Sequence, residues 1–172
     1  EVLANTPERC YFCKKDLFAR LREIAEQRGI RHIAHAANMD DFDDFRPGWK
    51  AAEEMGIIAP LVEARLTKEE IRFLSKEMGL STWDKPSMAC LASRIPYGET
   101  ITETKLRTIG EAEKEIASHG FTQYRVRVHG PLARIELQAS EMNRIMEPEI
   151  RERITAKLKE LGFLYGSVDR EG

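Results

Sequence analysis

Apolar positions along this chain change period several times, and each change marks a new element. Over residues 16–28, Leu17, Phe18, Leu21, Ile24 and Ala25 fall at the spacing of one helix face, and Gly29 ends the run. Residues 30–37 follow as a short strand. An acidic loop over 38–45 leads to a helix that Pro47 opens and that closes near Gly56. Residues 57–62 are a second apolar run with strand character. Thr67 and Glu70 then form a capping box, in which the hydroxyl meets the third helical amide and the carboxylate reaches back. Ile71, Leu74 and Met78 mark the buried face of the helix that follows, up to Gly79. Helix and strand alternate, which predicts an α/β half built on a parallel sheet.

A proline-bearing loop over 81–98 interrupts this order, and the pattern beyond it is different. We place a domain boundary near 97–100, dividing 1–98 from 99–172. A helix starts near Thr102 and carries Leu106, Ile109, Ala112 and Ile116. Residues 122–128 alternate strictly, with Tyr124, Val126 and Val128 on one face and Arg125, Arg127 and His129 on the other. Gly130-Pro131 turns the chain, and 132–137 alternates again through Ala133, Ile135 and Leu137. A helix after Pro148 and a strand over 163–168 complete a helix–strand–strand–helix–strand order. That order predicts a small α+β domain with its helices on one face of the sheet.

Composition narrows the functional classes. The chain has 172 residues, 42% hydrophobic and 33% charged, the balance of a soluble globular protein. Its net charge of −2 gives no general attraction to nucleic acid or to an anionic membrane, so any anion site must be local. No apolar run approaches the ~20 residues that span a bilayer. Three cysteines make no disulfide framework, and their odd number points to a reducing compartment, the cytoplasm.

Those cysteines are the first candidates for chemistry. Cys10 and Cys13 form a C-x-x-C ahead of a helix that opens Lys14-Lys15-Asp16; nearby ammonium groups and a helix N-terminus both favour thiolates. The same pair also reads as a zinc half-site or as two buried cysteines. Cys90 lies between Pro86 and Pro96, close in sequence to Lys85, Ser93 and Arg94. Ser93 and Arg94 are candidate phosphate or carboxylate donors, and Cys90 is equally readable as a small apolar loop residue. Three thiols are one short of a closed zinc site; they suit an iron–sulfur cluster with an open iron, or a reactive thiol beside a separate pair. His35 and His129 are the remaining rival ligands. Arg125, Arg127 and His129 share a strand face, and Arg134 projects from the next strand with only Glu136 opposing; this reads as an anion cradle or as a solvated sheet face. Asp40, Asp41, Asp43 and Asp44 could hold Mg²⁺, though a solvated turn is the more ordinary reading of such a cluster.

Several stretches together resemble one family. Asn5-Thr-Pro-Glu-Arg-Cys-Tyr-Phe-Cys-Lys-Lys-Asp-Leu-Phe18, Asp44-Phe-Arg-Pro-Gly48, Leu66-Thr-Lys-Glu-Glu-Ile-Arg72 and the block from Trp83-Asp-Lys-Pro to Ala89-Cys-Leu-Ala-Ser-Arg-Ile-Pro-Tyr-Gly98 are similar to the LarE sulfur transferases. These are PP-loop enzymes of ATP-pyrophosphatase fold that insert sulfur into pyridinium-3,5-biscarboxylic acid mononucleotide for the nickel-pincer cofactor of lactate racemase. The resemblance implies that 1–98 is the C-terminal part of a PP-loop domain and that Cys90 handles the sulfur. One branch of the family sacrifices the sulfur of that cysteine; another holds a 4Fe-4S cluster on three cysteines, here Cys10, Cys13 and Cys90. It further implies substrate contacts from Ser93, Arg94, Glu113, Arg125 and Arg127, ATP and Mg as co-substrate, and a homo-oligomer. The family's Ser-Gly-Gly-x-Asp-Ser loop is absent, so the expectation is a fragment of a longer chain. Two rival readings stand beside this one: a tRNA thiolase of the same superfamily, and a non-catalytic metal- or nucleotide-binding fragment.

Overall fold

The computed structural model describes residues 1–43 and 46–169, so Asp44 and Phe45 of the acidic loop and the tail 170–172 lie outside the described residues. The chain forms two compact units, Glu1–Lys85 and Pro86–Gly172. This division lies upstream of the boundary expected near 97–100. The cause is packing: Ile95 is buried in the core of the second unit, and Leu91 and Ala92 pack against that core.

In the first unit, α1 runs Arg9–Gln27, so it begins well before Asp16 and takes Cys10 and Cys13 into its first turns. Gly29, at φ +66°, ends it in the left-handed conformation that costs glycine little. Phe18 and Ala25 are buried on α1, whereas Leu17 and Ile24 of the expected stripe are exposed. Helix α2, Pro47–Glu54, opens on its proline, whose missing amide would have had no helical partner. It lies tightly on α1: a methyl group at Gly48 would sit 3.0 Å from Lys14 Cγ and 3.4 Å from the Cys10 carbonyl. Phe18, Ala52 and Ile57 form the small core, with Leu21, Ile33 and Met55 around it.

The two strands expected here reduce to one parallel bridge, Ala34 with Ile58. The His35 amide donates to the Ile58 carbonyl and the Ile58 amide to the Ile33 carbonyl, each at 3.0 Å. The second run cannot extend because Pro60, without an amide and with φ fixed, starts the short helix α3, Pro60–Glu63. Helix α4, Lys68–Glu77, carries the expected capping box in full. Its apolar side does not match the expectation: Leu74 is 43% and Met78 75% exposed, because no described element of the unit covers them.

The second unit follows the predicted order. A 3-10 turn, Leu91–Arg94, precedes α5, Glu103–Ser118. Strand β1, Tyr124–His129, pairs antiparallel with β2, Leu132–Leu137, across the two-residue loop Gly130-Pro131. Gly130 takes φ +55°, as tight hairpins favour at that position. Helices α6, Met142–Ile145, and α7, Pro148–Glu160, then lead to β3, Tyr165–Val168, which pairs parallel with β2. The sheet order is β1-β2-β3, which leaves β1 at an edge. Val126, Ala133 and Ile135 bury one sheet face in a core with Ile109 and Ile116 of α5 and Ile154 and Leu158 of α7. Among the described residues, no helix is long and apolar enough to cross a membrane.

Candidate functional site

Cys90 is exposed and stands at the head of the 3-10 turn, in extended conformation with φ −65° and ψ 149°. Its carbonyl accepts from the Ser93 amide at 2.9 Å and from Ser93 Oγ at 2.8 Å, so the thiol-bearing residue is fixed through its own backbone. Arg94 faces inward and is 1% exposed. Its Nε donates to Glu113 Oε1 at 2.7 Å and its Nη2 to Glu113 Oε2 at 3.4 Å. The remaining nitrogen, Nη1, reaches Ser93 Oγ at 2.9 Å and the carbonyls of Ala89 and Cys90 at 3.3 and 3.5 Å. Glu113 is itself buried on α5, and its Oε1 also accepts the Val126 amide of β1 at 3.0 Å. A buried ion pair persists only when its spare donors and acceptors are filled, and here they are.

On the polar face of the hairpin, three arginines surround one buried carboxylate. Register sets Arg125 opposite Glu136 and Arg127 opposite Arg134, so two like charges directly face each other. Glu136 separates them: Oε1 accepts from Arg127 Nε and, at 3.0 Å, from Arg134 Nη2, while Arg125 Nη1 stands 3.9 Å from Oε2. Arg134 Nε also lies 3.4 Å from Asp169 Oδ2. Burial disfavours the Glu136 charge, but the bonds and charges of Arg127 and Arg134 outweigh it and hold the carboxyl below the usual glutamate range. Three guanidiniums against two carboxylates leave this face cationic. Arg125 is 48% exposed and Arg134 37%, so both present donors to solvent, and His129 at the strand end is exposed as well. Arg127, 29% exposed, turns its Nη1 to the Ser93 carbonyl at 3.0 Å. The arginine face and the Cys90 turn are therefore bonded to each other.

The family resemblance implied substrate contacts from Ser93, Arg94, Glu113, Arg125 and Arg127; within the second unit, hydrogen bonds link Ser93 to Arg94 and Arg127 and Arg94 to Glu113, and Arg125 stands 3.9 Å from Glu136 beside them. Their surroundings differ: Arg125 and Arg127 border solvent, while Arg94 and Glu113 are enclosed and spent on one another. Arg134 and Asp169 complete the ring. Asp169 gave no signal in the sequence, since only the β2–β3 pairing carries it to Arg134.

In the first unit, Cys10 and Cys13 are three residues apart on α1, and so on one side of the helix; both thiols are free, Cys13 exposed and Cys10 partly so. Two soft thiolates with this spacing fit two positions around an iron or zinc centre. Within each unit taken alone, no three His, Cys, Asp or Glu side chains converge among the described residues. His35 packs its ring between Phe18 and Trp49, at centroid distances of 6.3 and 5.3 Å. Burial, then the charge of Lys14, lowers its pKa, so it is an aromatic packing partner at neutral pH. In the acidic loop, Asp40 and Asp41 are engaged with backbone amides and an arginine. Asp40 Oδ2 accepts the Lys68 amide at the start of α4 at 3.0 Å, and Asp41 accepts the Asn38 amide at 3.0 Å and pairs with Arg46 at 2.9 Å.

No family model matches this sequence. Three relatives align over nearly its whole length. An uncharacterized protein of Synechocystis is 41% identical over 98% of the chain and 63% of its own length. The pyridinium-3,5-bisthiocarboxylic acid mononucleotide synthase of Lactiplantibacillus plantarum is 36% identical over 98% of the chain and 60% of its own length. An uncharacterized protein of Methanocaldococcus jannaschii is 31% identical over 95% of the chain and 63% of its own length. The chain is thus similar over almost its whole length to the Lactiplantibacillus synthase, and it spans about three fifths of the length of the relatives it matches.

Proposed function

We propose that this chain acts in sulfur transfer to a pyridinium mononucleotide carboxylate, as in nickel-pincer cofactor biosynthesis. The observation that carries this reading is the bond from Arg127 to the Ser93 carbonyl, which joins a cationic face to the turn headed by Cys90. Arg125, Arg127 and Arg134 hold the mononucleotide phosphate through charge-assisted bonds. Binding there orients the far end of the substrate toward the thiol and removes the entropic cost of that encounter from the chemical step. A carboxylate oxygen of the substrate attacks the α-phosphorus of ATP and pyrophosphate leaves. The sulfur nucleophile held at Cys90 then attacks the acyl carbon, the carbon–sulfur bond forms, and AMP departs with the former carboxylate oxygen. Cys10, Cys13 and Cys90 would hold a 4Fe-4S cluster, which when bound would supply an open iron for sulfide; without it Cys90 would give up its own sulfur, its Cβ–Sγ bond breaking as the Cα proton leaves, so that dehydroalanine remains at that position.

Calorimetric titration with pyridinium-3,5-biscarboxylic acid mononucleotide tests the recognition half of this reading. Wild-type chain should bind, and the Arg125→Ala/Arg127→Ala double variant should lose at least about tenfold in affinity, at ~1.4 kcal/mol per decade. Mass spectrometry after incubation with ATP, Mg²⁺ and sulfide tests the chemistry, with Cys90→Ser as the blank. A wild-type chain that ignores the mononucleotide altogether sinks the proposal.

A further inference from the structure

We infer that Glu113 and Arg94 are positioning residues that hold the Cys90 thiol at a fixed span from the arginine face, through one shared carboxylate. This deepens the sulfur-transfer reading and rests on it for the role of Cys90. The geometry is a closed circuit within the second unit. Glu113 Oε1 accepts from both Arg94 Nε and the Val126 amide, at 2.7 and 3.0 Å. Arg94 Nη1 extends the circuit to the carbonyls of Ala89 and Cys90. Val126 lies next to Arg127 on β1, and Arg127 Nη1 closes the ring on the Ser93 carbonyl at 3.0 Å. Cys90 thus lies one 3-10 turn, about 6 Å of rise, from Ser93, whose carbonyl takes the guanidinium.

A single carboxylate oxygen bonded both to the loop and to the strand has no slack: moving either element breaks one of its two bonds. Arg94 cannot serve as a ligand donor without leaving Glu113 charged and buried, which costs far more than a surface rearrangement. Its fork also explains the residue type, because a lysine offers one point of donation and cannot span Glu113, Ser93 Oγ and two carbonyls together. The span matters because the substrate class is defined by it: a small molecule with its anionic group on the arginines must place its reacting carbon within reach of Sγ.

Charge-preserving substitutions isolate this role. Glu113→Asp shortens the reach by one methylene, and Arg94→Lys removes the fork, while neither changes the net charge. Each is compared with wild type for the alkylation of Cys90 by iodoacetate and by iodoacetamide, read on the Cys90 peptide by mass spectrometry. The anionic reagent is drawn by guanidiniums lying within the Debye length, ~10 Å at 0.1 M salt, and the neutral one is not. Relative to the same rate ratio for free cysteine, wild type should favour iodoacetate at low salt, and both variants should lose at least about threefold of that relative preference as the loop leaves the arginines. A merely structural loosening would speed both reagents alike and leave their ratio unchanged. Amide exchange at Val126 should quicken in Glu113→Asp, whose carboxylate no longer reaches it. An unchanged ratio in both variants, or a wild type with no salt-dependent preference, overturns the inference. Because neither reagent requires sulfur transfer, those results stand apart from failure of the proposed reaction.

Discussion

Arg125 and Arg127 sit on the same strand face, yet their removal should have unequal effects on folding. Arg127 makes two bonds, from Nε to the buried Glu136 carboxylate and from Nη1 to the Ser93 carbonyl at 3.0 Å. A bond with an ionised partner contributes ~1.5–3 kcal/mol when enclosed, and the bond to the Ser93 carbonyl, made by a partly exposed guanidinium, is discounted to ~0.5–1.5 kcal/mol. Glu136 keeps Arg134 at 3.0 Å after the substitution, so it is not stranded and the lower ends apply, about 2 kcal/mol in all. Arg125 stands 3.9 Å from Glu136, beyond hydrogen bonding, and is about half exposed. A pair of that kind contributes ~0–1 kcal/mol. In a unit of this size each kcal/mol moves Tm by ~4–8 °C, so Arg127→Ala should melt ~8–16 °C lower and Arg125→Ala within a few degrees of wild type. Urea unfolding followed by circular dichroism measures the difference, and hydrogen exchange over β1 and β2 assigns it to this unit. Equal stability of the two variants would refute the reasoning, because it would mean that Arg127 is not held by Glu136 and Ser93 in solution. Both variants should still weaken mononucleotide binding, so the comparison separates a residue that only recognises from one that also braces.

Cys10→Ala should reduce the iron and acid-labile sulfide content of anaerobically reconstituted chain to background; full iron content in that variant would exclude Cys10 from the ligand set. Glu136→Gln should lower stability at neutral pH by an amount that vanishes in acid. The folded carboxyl titrates below the ordinary glutamate value of ~4.3, so its contribution is complete above that pH and fades as pH falls through the lower folded value. Unfolding curves of wild type and variant that stay parallel down to pH ~3 would contradict this. Gly48→Val should loosen α1 from α2, since its Cβ would start 3.0 Å from Lys14 Cγ, at a cost of ~1–3 kcal/mol seen as faster exchange in both helices.

The second unit was legible in the sequence because each of its elements carries a period of its own and buries that face against a neighbour within the unit. The alternation of Tyr124, Val126 and Val128 set the hairpin face, and with it the side on which Arg125 and Arg127 emerge. What the pattern could not carry was direction: Arg94 lies in a loop with no period, and nothing in its neighbours distinguishes a guanidinium aimed at solvent from one aimed at Glu113. Asp169 was invisible for a similar reason, since only pairing at long range brings it to Arg134. In the first unit the pattern misled at two points. Residues 57–62 are apolar enough for a strand, but Pro60 fixes its own φ and turns the run into α3. The stripe of Ile71, Leu74 and Met78 is amphipathic as read, yet amphipathicity records a need for a partner: Ile71 is half-buried, while Leu74 and Met78 are left exposed. C-x-x-C said nothing of helix phase, so the placement of both thiols inside α1 had to come from the structure.

The bond from the Val126 amide to Glu113 also bears on how this protein avoids its own kind. Strand β1 is an outer strand, and an outward amide on such a strand invites a carbonyl from another molecule. At Val126 that invitation is already taken by a carboxylate anchored to an enclosed guanidinium. A foreign strand could pair with the Val126 amide only by displacing a charged group that is also bonded to Arg94, so the middle of this border is a poor template for intermolecular sheet growth.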